Sequence, residues 1–62
     1  MRKPTPEEIA EEFTKEREAP DMLFMSELQR LIRRRYGNTY SADYFSKCCD
    51  LVRAKGFKLI SD

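Results

Sequence analysis

Two apolar stripes at helical spacing, separated by one short polar break, constrain this chain more than any other feature. Leu28, Leu31, Ile32 and Tyr36 fall at i, i+3, i+4 and i+8, while Phe45, Cys48, Cys49 and Val52 fall at i, i+3, i+4 and i+7. Residues at those separations lie along one side of an α-helix. Gly37 follows the first stripe, where a left-handed residue ends many helices. Ser41 precedes the second stripe as a capping residue, with Asp43 in the first turn. The spacing predicts one helix opening at Ser26-Glu27-Leu28 with Ser26 as its cap, and another over residues 42–54. Asn38-Thr39-Tyr40-Ser41 connects them.

A third helix is announced by Thr5-Pro6-Glu7-Glu8. The Thr5 hydroxyl can cap, Pro6 suits the first helical position, and Glu8 can reach back to close a capping box. This helix is expected from Pro6 to Arg17 or Glu18, and Ala19-Pro20-Asp21 stops it. Its apolar content is thin, only Ile9, Ala10 and Phe13, so it must dock through that stripe to persist. Met22-Leu23-Phe24-Met25 reads equally as a short buried strand or as the lead-in to the next helix. After Lys55-Gly56, Phe57 to Ile60 form a short strand. The expected core is Ile9, Phe13, Leu23, Met25, Leu28, Leu31, Ile32, Phe45, Cys48, Val52, Phe57 and Leu59, with one of Cys48 and Cys49 buried and the other partly exposed.

A chain of 62 residues supports one domain, here residues 5–62, after a basic N-terminal tail over 1–4 that is expected to be flexible. The fold class is mostly α: three helices and a short C-terminal strand. So small a domain has little room for an enclosed cavity, and function is expected at the outer surface or a dimer seam. The chain has no His, so the commonest general base is absent. Neither cysteine has an evident activating partner, and glycines occur only at 37 and 56, too few for a phosphate loop. These features predict a binding protein without enzymatic activity, metal or cofactor. Adjacent cysteines point about 100° apart on a helix, which suits reduced thiols in a cytoplasmic protein better than a disulfide. No apolar run is long enough to span a membrane.

Net charge is only +1, yet it is unevenly spread. Residues 1–21 hold seven acids and four bases (−3), and residues 22–62 hold eight bases and four acids (+4). A basic body beside an acidic segment suits an anionic partner.

The order from Met22 to Ile60 is apolar run, helix, polar turn, helix, Gly, strand. Two segments carry a likeness: Ser26-Glu27-Leu28-Gln29-Arg30-Leu31-Ile32, and Leu51-Val52-Arg53-Ala54-Lys55-Gly56-Phe57-Lys58-Leu59-Ile60. Through them the chain resembles the winged-helix branch of the helix-turn-helix DNA-binding domains. Nothing after Ile60 can supply the wing's second strand, so a reduced winged helix is expected. Its terminal strand must then pair with residues 22–25 or with a partner chain.

The resemblance implies double-stranded DNA as partner and a small regulatory protein; about four to six phosphate contacts per monomer are few, so a homodimer is expected. It places Ser41, Tyr44 and Lys47, with Asp43 beside them, on the reading helix. Phosphate contacts fall to Arg30, Arg33, Arg34, Thr39, Tyr40, Arg53 and Lys58. Each has a plainer reading: Ser41 as a cap, Tyr44 packed beside Phe45, Tyr40 on the core edge, and the arginine run as a solvated face. Asp43 and Asp50 count against DNA by repelling phosphate. The competing class is a protein-binding module or small inhibitor. It would use Glu8, Glu11 and Glu12 of the acidic first helix together with Met22, Phe24 and Met25.

Overall fold

The computed structural model describes residues 2–61 and contains, in order, α1 (Pro6–Thr14), β1 (Met22–Phe24), α2 (Met25–Arg35), α3 (Ala42–Ala54) and β2 (Lys58–Ile60). The protein is mostly helical, with one two-stranded sheet in which β1 and β2 run parallel. Met22 pairs with Lys58, Leu23 with Leu59 and Phe24 with Ile60. The terminal strand therefore finds its partner within the chain, in the apolar run whose conformation the sequence left open. Met1 lies outside the described residues, as does Asp62, so the expected tail and domain limits are described only from Arg2 to Ser61.

Helix α1 starts where its capping chemistry requires. Thr5 Oγ1 accepts from the Glu8 amide at 3.2 Å, and Glu8 Oε1 accepts from the Thr5 amide at 3.0 Å. It ends at Thr14, earlier than the expected Arg17 or Glu18. The reason is local. Residues 15–18 offer no apolar side chain to bury. Arg17 Nε instead folds back to the Phe13 carbonyl at 3.0 Å and satisfies one of the helix's terminal acceptors.

Helix α2 corrects a second expectation. Ser26 does not cap it. The chain passes from β1 straight into the helix at Met25, with Phe24 in the capping position and no side-chain cap bond there. Tertiary pairing of β1 fixes this start, so no polar capping residue is required. Gly37 ends the helix at φ +113°, as its position predicts. Helix α3 forms over the expected residues, with Ser41 Oγ accepting from the Tyr44 amide at 3.1 Å.

The core gathers Ile9, Ala10 and Phe13 from α1, Leu23 from β1, Leu28, Leu31 and Ile32 from α2, Cys48, Cys49 and Val52 from α3, and Phe57. Helix α1 packs chiefly on α3. Helix α3 also meets α2 and β2, so its buried arc is wider than one stripe. Cys48 (0% exposed) and Cys49 (4%) are consequently both buried, against the expectation that only one would be. Phe45, Met25 and Leu59 are half-buried and not full core residues; Ala10, part of the expected docking stripe, joins the core, and Thr14 is buried without having been foreseen. Thr14 remains compatible with the interior because its hydroxyl donates to the Ala10 carbonyl at 2.8 Å.

Candidate nucleic-acid interface

The two helices expected to form the DNA-binding unit follow one another, with only residues 37–40 between the C-cap Tyr36 and the N-cap Ser41. Arg30, Arg33 and Arg34 stand exposed on α2. At i, i+3 and i+4 they are neighbours on one helix face. None of the three makes an ion pair among the described residues. Like charges at these spacings cost a helix a few tenths of a kcal/mol per pair, roughly 0.2–0.5. The carbonyl end of the helix dipole offsets part of that for Arg33 and Arg34, in the last turn. Arg30 and Arg34 border a shallow hollow whose acids, Glu12 and Glu27, are already held by Arg35 and Arg17.

The acidic helix behaves differently. Glu8 meets Arg2 at 3.1 Å, Glu11 meets Lys55 at 3.0 Å, and Glu12 meets Arg35 at 3.2 Å. The three glutamates put forward as a protein-docking face are thus partnered within the chain. Hydrogen bonding to the Thr5 amide holds the Glu8 carboxyl below its usual pKa, with Arg2 and Arg35 adding to the effect.

On α3 the expected reading residues divide. Lys47 and Ser41 are exposed, and Ser41 is occupied as the helix cap. Tyr44 is half-buried: its ring lies 4.5 Å from that of Tyr36, and its hydroxyl donates to the Pro4 carbonyl at 2.6 Å. Burial, with Cys48 and Tyr36 beside it, pushes its pKa up to about 12. Tyr44 therefore packs on Tyr36, and Phe45 packs on Tyr40 instead. Arg53 lies 3.8 Å from Asp50, an i, i+3 pair. Asp43, Lys47, Asp50 and Arg53 leave the exposed face of α3 balanced in charge. Thr39 is exposed and Tyr40 half-buried in the turn between the helices. Lys58 is exposed on β2, away from the arginine face in sequence, with its amide bonded to the Asp21 carbonyl at 3.1 Å.

The other proposed docking segment is split by strand alternation. Met22 (64% exposed) and Phe24 (40%) face outward, Leu23 faces inward, and Met25 is half-buried at the start of α2.

Sequence reasoning missed the residues just before α1. Lys3 Nζ sits 4.5 Å from the centre of the Tyr36 ring, and Arg2 and Pro4 are held through Glu8 and Tyr44. The only sequence signal was the basic pair Arg2-Lys3, which carries no hint of what it packs on.

Cys48 and Cys49 serve packing. Burial pushes the Cys48 thiol up to about 11 and also raises Cys49, although Arg53 opposes the latter shift. Among the described residues no helix is long and apolar enough to cross a membrane. No family model, curated protein or solved structure matches the chain.

Proposed function

We propose that this chain is a small DNA-binding regulatory protein that uses α2, the turn and α3 as a reduced helix-turn-helix. One observation carries the reading. Among the described residues Arg30, Arg33 and Arg34 share a face of α2 without an acidic partner, while three of the four glutamates of α1 are matched within the chain. Guanidinium groups so arranged neutralise duplex phosphates and fix the register of the protein on the helix. The first turns of α3, with Ser41 and Lys47, then face base edges. The balanced charge of α3 gives it little share in the electrostatic attraction.

A monomer of this size makes few phosphate contacts. The reading therefore includes two copies on one duplex, which doubles the contacts and sets a half-site spacing. The test is fluorescence anisotropy with random-sequence duplex DNA at low and moderate salt. Four to six phosphate contacts give a log–log salt slope of about −4 to −5. Absence of binding at low salt, even at high micromolar protein, would remove the reading.

A second reading is favoured by the outward-facing Met22 and Phe24, which suit a protein partner docking on β1. It predicts that the uncharged Met22→Ser/Phe24→Ser abolishes capture of such a partner and leaves DNA binding unchanged.

A further inference from the structure

A hollow of about 320 Å³ lies where the segment before α1 meets the end of α2, lined by Arg2, Pro4, Glu8, Arg34 and Arg35. Three arginines line it against one glutamate. Arg35 is engaged by Glu12, whereas Arg34 has no acidic partner among the described residues. The carbonyl end of α2 subtracts some of the positive potential, but less than one full charge.

The wall formed by the N-terminal segment is held in place. Tyr44 Oη bonds the Pro4 carbonyl at 2.6 Å, and Lys3 lies over Tyr36. Arg2 Nη2 reaches both oxygens of Glu8, at 3.1 and 3.2 Å. Glu8 is itself anchored by the Thr5 amide. The Arg2–Glu8 pair is largely exposed, and such pairs exchange readily for a better anion. A phosphate presents the fork geometry that guanidinium groups match, and it competes well with a carboxylate for Arg2.

We infer that this hollow is a phosphate site for the duplex backbone, in which Arg2 and Arg34 grip one phosphodiester and Glu8 holds Arg2 in position until the duplex arrives. The inference rests on the DNA reading and extends the basic face of α2 onto the N-terminal segment. It assigns Arg2 a binding role and makes Glu8 and Tyr44 positioning residues. Glu8 also restrains binding, because its charge competes with phosphate for the same guanidinium.

The experiment is duplex-DNA anisotropy across a salt series, in parallel with thermal melts, on wild type, Arg2→Ala, Glu8→Gln, Tyr44→Phe and Arg30→Ala/Arg33→Ala/Arg34→Ala. Arg2→Ala is expected to bind roughly 5–10-fold more weakly near 0.1 M salt and to reduce the slope by about 0.9, the value of one phosphate contact. Glu8→Gln keeps an oxygen for the capping box and is expected to bind several-fold more tightly, a gain larger than the one Glu11→Gln gives through the general field and one that disappears in the Arg2→Ala background. Tyr44→Phe, which frees Pro4, is expected to weaken binding less than Arg2→Ala.

If the triple arginine variant loses affinity while Arg2→Ala and Glu8→Gln match wild type in affinity and slope, the hollow is refuted and the DNA reading stands. If wild type shows no salt-dependent binding, both fall. Inorganic phosphate is the final probe, followed through the amide resonances of Arg2 to Pro4. Saturation at low millimolar phosphate, with no effect of Arg2→Ala on duplex binding, would assign the hollow to free phosphate and overturn the duplex contact.

Discussion

Helix α1 carries four glutamates and helix α2 four arginines, yet the fold treats the two sets differently. Glu8, Glu11 and Glu12 each meet a base brought from another element, and among the described residues only Glu7 of the four is left without an ion pair. Among the described residues, Arg35 is the one arginine of α2 that meets an acid, the same Glu12. The contrast teaches that net charge is a poor guide to what a surface offers. The counts of acids and bases nearly cancel, yet Glu8, Glu11 and Glu12 are held by bases of the same chain while Arg30, Arg33 and Arg34 face outward on one helix.

The comparison is meaningful only if both helices are firmly docked, and this has the largest expected effect. Ile9 of α1 and Leu28 of α2 are both fully buried. Replacing either with Ala should cost about 2–5 kcal/mol, near the whole stability of so small a domain. A denaturation curve as cooperative as that of wild type, with an unshifted midpoint, would show that the helix concerned is not anchored through that residue. Phe45→Ala should cost less than Leu28→Ala, because Phe45 is only half-buried.

Next in size is the charge contrast itself. Removing Arg30, Arg33 and Arg34 together should make the salt slope about 2.7 shallower, which near 0.1 M salt is a loss of several hundred-fold in affinity for duplex DNA. Neutralising Glu11 and Glu12 should strengthen binding and leave that slope nearly unchanged. If the acidic variant instead lost DNA binding, the division of labour between the helices would be wrong.

A smaller effect separates capping from charge. Thr5→Ala removes the cap of α1, and Ser41→Ala that of α3. Each should lower stability by about 1 kcal/mol, readable in urea midpoints. Glu11→Gln breaks only the exposed pair with Lys55 and should shift the midpoint by less than about 0.5 kcal/mol.

The response to pH tests the buried seam between the helices. Burial raises the Cys48 thiol from its ordinary 9.0 to about 11 and the Tyr44 phenol from 10.0 to about 12. In the unfolded chain these groups lose their protons at lower pH. From about pH 9 upward the unfolded state therefore binds fewer protons than the folded one. Stability should be insensitive to these two groups below that point and fall as pH rises towards 12. Urea midpoints measured under reducing conditions that stayed level over this range would show that neither group is held in its neutral form by the fold.

The sequence was most legible where chemistry is local. The start of α1 and both ends of α3 followed from Thr5, Glu8, Ser41 and Gly56, because a cap and a left-handed glycine act within a turn of the residues they serve. It was least legible where distant segments decide the outcome. Helix α2 opens at Met25 because β1 pairs with a strand more than thirty residues away, and Ser26 could not reveal that. Cys49 belongs to the stripe at i, i+3 and i+4, but how far the covered arc of α3 reaches past Cys48 depends on α1, α2 and β2 packing on it, which spacing alone does not give. For the candidate site, the arginine face of α2 was readable from spacing alone. That Glu11 would meet Lys55 and Tyr44 would meet Pro4, some forty residues apart in each case, was not.

The register of β1 with β2 has a kinetic consequence. Met22 and Lys58 can meet only after the whole intervening chain, including α2 and α3, has been drawn into a loop, and closing it forfeits entropy before the sheet returns any. Packing of α1 on α3 closes a loop of similar length, so the three-residue sheet adds its pairing to a closure the helices already share and acts as a clasp on it. A substitution confined to β2, such as Leu59→Ala, should therefore speed unfolding while scarcely slowing folding. The lifetime of the native state would then depend on three residues at the far end of the chain from the first helix.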